Sequence, residues 1–374
     1  MSRVYVLWLI AALTLVKSST TPLDKVKTNT RLVGRVLYDG TDFAGWQSQG
    51  DVTGNRRMRT VQSTLNHVVR RRFNMKGLHV TGSSRTDAGV HARGQAFHLD
   101  LPNFLCGPSE KSPGELKQLT GSSTPTEGGL DLQFLEYSLN RMLPNDVKVY
   151  NISYAPLVKP IRLPEVRGGD LVYETLAPAQ KGFTFRGDPG EEGEEGFVRS
   201  DFHAIASARG KLYKYRFCTN SFVDPTRCRF VSHFYLPMDM AVFKEALSLF
   251  VGTHDFAAFA NQVSKTAAAL EGSSTTFSTM KTIYDIQVDE EAPGYFCVSF
   301  HLESALYKMV RNIVGTCKMC AEGGGGNAHT TIDLPFVKQM LEQSGVKTFS
   351  RADNLALSAP PEGLTLETVY FDHY

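Results

Sequence analysis

The chain has 374 residues, 42% of them hydrophobic, and its 40 Lys and Arg against 38 Asp and Glu leave a formal net charge of +2. That length can bury a large core and form two lobes, while the near-balance of charge excludes a uniformly basic protein, so any contact with nucleic acid must come from local patches. Six cysteines with one close pair, Cys317 and Cys320, do not make a zinc or disulfide framework and read as reduced, partly buried thiols.

In chain order, Met1-Ser2-Arg3 precedes a mostly apolar run from Val4 to Val16, and a polar stretch follows from Lys17. This is the pattern of a secretory leader and is too short for a transmembrane span. Arg35 to Tyr38 reads as a strand, and Val61 to Phe73 as a helix flanked by two basic clusters, Arg56, Arg57 and Arg59 before it and Arg70, Arg71 and Arg72 at its end. Such clusters are solvated faces or phosphate contacts. Leu78 to Thr81 leads into a glycine-rich stretch, and Ala96 to Leu101 leaves it with the apolar and polar alternation of a half-buried strand. Lys211-x-Tyr213-x-Tyr215-x-Phe217 reads as a strand with one aromatic face, and Tyr295 to Phe300 as another strand. Helices are expected at Met240 to Val251, at Ala305 to Cys320 and at Pro335 to Ser344. Gly107 to Gly129, Lys159 to Gly196, Val263 to Ser278 and Gly323 to Gly326 are Gly-, Ser- or Pro-biased and read as surface loops, with the acidic run Glu191 to Glu195 inside the second. Strands and helices mixed without strict βαβ alternation imply an α+β fold.

The stretch with the clearest chemistry is Ser84-Arg85-Thr86-Asp87-Ala88-Gly89-Val90-His91, which falls in the turn between two strand patterns. Gly82, Gly89 and Gly94 let backbone and ligand approach closely, so Asp87 is presented at the mouth of a cleft. Arg85, two residues earlier, would favour the ionised carboxylate or hold an anionic group such as a phosphate. Taken alone, the pattern is equally that of a turn Asp paired with an Arg for structural reasons.

The wider segment from Gly82 to Gln95 resembles the signature loop of the tRNA pseudouridine synthases of the TruA type. Further matches occur in the family's order: Tyr38 to Gln47, Thr60 to Leu65, Leu139 to Val147, Asp201 to Ala204, Lys211 to Tyr215 and Met309 to Gly315. The resemblance runs from about Leu32 to the C-terminus. It implies two ferredoxin-like lobes whose antiparallel sheets meet around a central RNA-binding cleft, arranged as a leader (1–30), an N-terminal lobe (31–157), a flexible insertion (158–196) and a C-terminal lobe (197–374). It further implies Asp87 as nucleophile, Tyr213 as the residue that stacks on the target uracil, Arg311 as the ion-pair partner of Asp87, and Arg85 as a contact to the displaced nucleotide. Where the family reads Phe-x-Ala-Arg, this chain has Phe202-His203-Ala204-Ile205, so a basic contact expected there is missing.

The activity so implied is isomerisation of uridine to pseudouridine in the tRNA anticodon arm, at positions 38 to 40, by a homodimer that needs no metal or cofactor and whose mature form does not associate with membranes. The leader then implies delivery to an organelle with its own tRNAs, a plastid or mitochondrion, with a cytoplasmic protein as the alternative. A catalytically silent tRNA-binding or tRNA-folding protein on the same fold is the competing reading, because activity has to be argued from the site and not from the fold.

Overall fold

The computed structural model describes residues 29–47, 58–102, 130–155, 165–167, 170–172, 202–261, 278–323, 332–342 and 349–371. The leader, Arg56 and Arg57, Cys106, the acidic run at 191–195 and most of the loop segments named above lie outside the described residues. Among the described residues, no helix is long and apolar enough to cross a membrane.

The first unit runs β1 (Asn29–Tyr38), α1 (Val61–Phe73), β2 (Val80–Gly82), β3 (His91–Pro102), α2 (Leu132–Met142) and β4 (Val147–Tyr154). Its strands pair antiparallel in the order β4-β1-β3-β2, the βαββαβ arrangement of a ferredoxin-like sheet. After a short antiparallel pair, β5 (Glu165–Arg167) and β6 (Asp170–Val172), which places strand within a segment read as loop from sequence, a second unit repeats the plan. It consists of β7 (Gly210–Cys218), β8 (Ser232–His233), α3 (Met240–Ser248), β9 (Gly252–Asp255), β10 (Met280–Ala292), β11 (Tyr295–Leu302), α4 (Met309–Ala321), α5 (Leu334–Glu342) and β12 (Leu364–Tyr370). Its order is β12-β7-β11-β10, with β9 at the far edge. The two units fuse edge to edge where β12 lies parallel to β3, through the pairs Thr365 with His91 and Leu366 with Ala92. The fold is therefore α+β, with two ferredoxin-like sheets joined into one mixed sheet.

Local sequence accounts for these elements. In α1, the buried residues Val61, Leu65, Val68, Val69 and Phe73 follow the helical period. Thr60 and Ser63 close its start as a capping box, and Asn74 ends it in the left-handed region at φ 52°. Arg70, Arg71 and Arg72 occupy its last turn, where the helix dipole favours cations. Two of them are tied to the fold: Arg70 donates to the Leu78 carbonyl at 2.7 Å, and Arg72 to Ser138 Oγ at 3.0 Å. Arg59 forms a two-pronged pair with Asp146 at 2.6 and 2.8 Å. The basic clusters therefore serve structure at least in part.

Several element bounds differ from expectation; β3, expected from Ala96, begins at His91. The α3 helix stops at Ser248, three residues short of Val251. Strand β1 begins at Asn29, well before Arg35, because it is covered on both faces: Leu32, Val36 and Tyr38 enter the main core, while Val33 packs with Ala155, Phe202 and Ala204 in a second cluster. The α4 helix begins at Met309 and not at Ala305, because Lys308 takes the left-handed conformation at φ 60° and interrupts any earlier turn. Leu306, Met309, Val310, Ile313 and Val314 are all buried as their spacing predicts.

Candidate active site

Asp87 sits in the eight-residue turn from Ser83 to Val90 that links β2 to β3. The turn is held by the loop after β1, the segment whose sequence matched in the same order. Trp46 N–H donates to the Thr86 carbonyl at 3.1 Å, Gly89 N–H to the Phe43 carbonyl at 3.2 Å, and the Tyr38 and Thr86 hydroxyls meet at 2.8 Å. Gly45 has φ +97°, and a Cβ on it would come within 2.6 Å of the Thr86 carbonyl, so this close approach of two backbones needs glycine. Gly89, at φ +77°, makes the turn that follows Asp87.

Arg311, in the first turn of α4, reaches Asp87 from the other unit. Its Nη1 donates to Asp87 Oδ2 at 3.0 Å, with side-chain exposures of 10% and 13% for Arg311 and Asp87. A pair this enclosed is weakly screened, so each partner depends on the other. Arg311 Nε donates to the Ala359 carbonyl at 2.7 Å, and Ala359 N–H returns a bond to the Arg311 carbonyl at 2.9 Å. The neighbouring Asn312 donates to the Phe259 carbonyl at 2.9 Å, and Thr316 and Asn354 bond to each other, so the guanidinium is aimed by a helix pinned along its length. Only one carboxylate oxygen of Asp87 is engaged; Oδ1 has no hydrogen bond among the described residues.

Tyr213 lies on β7, 5% exposed, with its hydroxyl 3.1 Å from Ser84 Oγ. Burial, reinforced by the charge of nearby Asp87, pushes its phenol up to about 12, so it is a neutral hydroxyl at physiological pH. Tyr38 is likewise buried and its phenol is pushed up. Beneath the turn, Gln95 is fully buried and clamps Ser84 through its backbone: Gln95 Nε2 donates to the Ser84 carbonyl at 2.5 Å and Ser84 N–H donates to Gln95 Oε1 at 3.2 Å.

The structure thus brings Asp87, Tyr213 and Arg311 together. Arg85 is exposed and has no polar partner among the described residues. Of the two expectations for Arg85, the local pairing with Asp87 does not form: Arg311, 224 positions away, is the partner, as the resemblance implied, while Arg85 is exposed and remains available to an anionic ligand. Ile205, at the position where a basic residue was expected, is 56% exposed and supplies no charge. Ser84, Gln95 and Lys211 complete the site and were not singled out from sequence; the only signal was their place inside the matched motifs. Cys317 and Cys320 are buried free thiols on α4, and burial pushes the Cys320 thiol up to about 11.

The chain is similar to known proteins. A family model described as tRNA pseudouridine synthase matches residues 246–372, the part that carries Arg311. Among full-length relatives, tRNA pseudouridine synthase A of Leuconostoc citreum is 30% identical over 289 residues, 76% of this chain and 81% of the relative. The proteins of the same name from Latilactobacillus sakei (29% identical) and Protochlamydia amoebophila (26% identical, there called tRNA pseudouridine synthase A 1) each span 90% of this chain and 96% and 95% of their own length. With both halves of the chain matched and a relative at that identity covered over most of its length, the chain belongs to the tRNA pseudouridine synthase A family.

Proposed function

We propose that the protein isomerises uridine to pseudouridine in the anticodon arm of tRNA, with Asp87 as the nucleophile. The observation that carries this reading is the carboxylate of Asp87 held by Arg311 through one oxygen only, at the mouth of a turn, with the Tyr213 side chain beside it. Isomerisation breaks the N1 to C1′ bond and joins C5 to C1′; N1 gains a proton and C5 loses one, so no atom is gained or lost and no co-reactant is required. A carboxylate can carry the sugar or the base through such a change by forming a covalent intermediate or by steadying positive charge at C1′. Arg311 pairs with that carboxylate and aligns it, and the aromatic face of Tyr213 receives a base drawn out of its stack, an extrusion that costs a few kcal/mol. Arg85, exposed beside the nucleophile, contacts the phosphate of the displaced nucleotide.

Purified protein incubated with unmodified tRNA transcripts, followed by carbodiimide-dependent primer extension, tests this. The expected result is stops at anticodon-arm uridines that vanish in Asp87→Asn; tRNA binding without any stop on any transcript favours the silent RNA-binding reading. Two further parts of the proposal rest on the family resemblance and on the N-terminal leader, respectively. The protein works as a homodimer, so light scattering should give twice the mass of one chain, and the leader directs it to a plastid or mitochondrion, which a fluorescent fusion of residues 1–35 that stays in the cytosol contradicts.

A further inference from the structure

Lys211 stands two residues before Tyr213 on β7, and the register places Leu302 and Phe300 of β11 opposite the two, so both side chains share one face of the sheet. It is 9% exposed. Among the described residues no carboxylate pairs with it; the charge that acts on it is Lys281, of the same sign, and its strand neighbours Leu302 and Val369 are apolar. Burial, with Lys281 adding to it, pulls the amine down to about 8. An uncompensated buried ammonium is a poor structural choice, since an apolar side chain of similar length fills such a site at lower cost. Its one side-chain hydrogen bond among the described residues is to Ser84 Oγ at 3.3 Å, and the same Oγ lies 3.1 Å from the Tyr213 hydroxyl.

The donor inventory biases the direction of this chain. An ammonium only donates, so Ser84 Oγ accepts from Lys211; an oxygen that already accepts from a cation is a poorer acceptor for a second donor and its O–H a better donor, which favours Ser84 donating to Tyr213 over the reverse. Ser84 is fixed in place for this by the two bonds between its backbone and Gln95. Tyr213, accepting from Ser84, then has its own hydrogen left for another acceptor. We infer that Lys211 is a positioning residue: acting through Ser84, it makes Tyr213 present a hydroxyl proton to the reacting uracil. The inference rests on the proposed isomerisation, in which negative charge develops on the uracil as the N1 to C1′ bond breaks and a fixed donor stabilises it. Neutral Lys211 can accept; the Ser84 hydrogen then turns to it, the Tyr213 hydrogen turns to Ser84, and the donor is lost. The other titratable groups facing this chain are Tyr213 and Tyr38, both neutral through this range, Asp87 with its Arg311 partner, and Lys281.

Single-turnover pseudouridine formation on an unmodified tRNA transcript, from pH 6 to 9.5, tests this in the full chain with Lys211→Met, Lys211→Arg and Ser84→Ala, alongside tRNA affinity and Tm. The wild type should slow as pH rises through about 8. Lys211→Met should slow about 10- to 100-fold, show no alkaline limb, bind tRNA as before and melt no lower than wild type. Ser84→Ala should slow similarly, and Lys211→Arg, which keeps donors at all these pH values, should recover rate without the alkaline limb. A Lys211→Met protein with wild-type rate and alkaline limb, a loss confined to KM and tRNA affinity, or a loss that follows a lower Tm overturns the inference. If the wild type modifies no transcript, the functional reading itself fails, and this inference with it.

Discussion

The two halves of the molecule share one chain path, β4-β1-β3-β2 and β12-β7-β11-β10, yet contribute to the site in opposite ways. The hairpin in corresponding position differs most. Between β10 and β11 it is two residues, Pro293 and Gly294, with Gly294 at φ +74°, whereas between β2 and β3 it is the eight-residue turn that carries Ser84, Arg85 and Asp87. The first half thus supplies the Asp87 carboxylate from a loop, and the second half supplies Tyr213 and Arg311 from a strand and a helix. Loops present groups and regular elements aim them. Neither half holds a complete site, and the Asp87 to Arg311 pair lies where the two sheets fuse.

That division of labour can be broken from either side. The largest effect is expected from Asp87→Asn, which keeps the shape of the turn but removes the proposed nucleophile: turnover should fall about 10⁴-fold or more in the primer-extension assay while tRNA binding persists. Next comes Arg311→Met, which leaves a nearly buried carboxylate unpaired and should lower stability by about 3–5 kcal/mol in urea unfolding. The double variant with Asp87→Asn should recover much of that loss, because no uncompensated charge remains.

Away from the seam the effects shrink. His98 on β3 is 5% exposed and accepts from the Ala204 amide at 3.2 Å; burial first, then the positive charge of Arg31, pulls its imidazole down to about 4. Between pH 6.5 and about 4 the unfolded chain therefore binds the proton that the folded chain refuses, so stability falls as the pH falls, by at most about 1.4 kcal/mol per pH unit. His98→Asn should flatten that slope in denaturation curves. Smallest is Lys308, the left-handed residue before α4. Lys308→Asn should raise stability by about 1 kcal/mol, read as a higher Tm, because Asn adopts that conformation more readily.

What the sequence revealed and what it hid divide along contact distance. The α1 helix rests on neighbours within a few positions, and its reading from Val61 to Phe73 matches the structure; the turn around Asp87 was located from its local glycines, although Tyr38, Phe43 and Trp46 hold it in place. Tyr213 and Arg311 were recognisable only through family resemblance, since a tyrosine on an aromatic strand face and an arginine on an apolar helix look like packing. Local spacing alone offered Arg85 as a neighbour for Asp87, whereas the pair that forms, with Arg311, joins two units and was reached only through the family resemblance. Strand β12, which fuses the sheets, went unnoticed for the same reason, and so did the burial of Lys211. The late start of α4 depends on one residue, Lys308, whose left-handed backbone no periodicity announces.

The claim that Asp87 drives an isomerisation is tested most directly by tRNA transcripts carrying tritium at uracil C5, because joining C5 to C1′ must expel that hydrogen into water. The account predicts that wild-type protein releases tritium in step with pseudouridine formation and that Asp87→Asn, bound to the same tRNA, releases none. Release by Asp87→Asn at the wild-type rate, or none from the wild type on any tRNA, contradicts it.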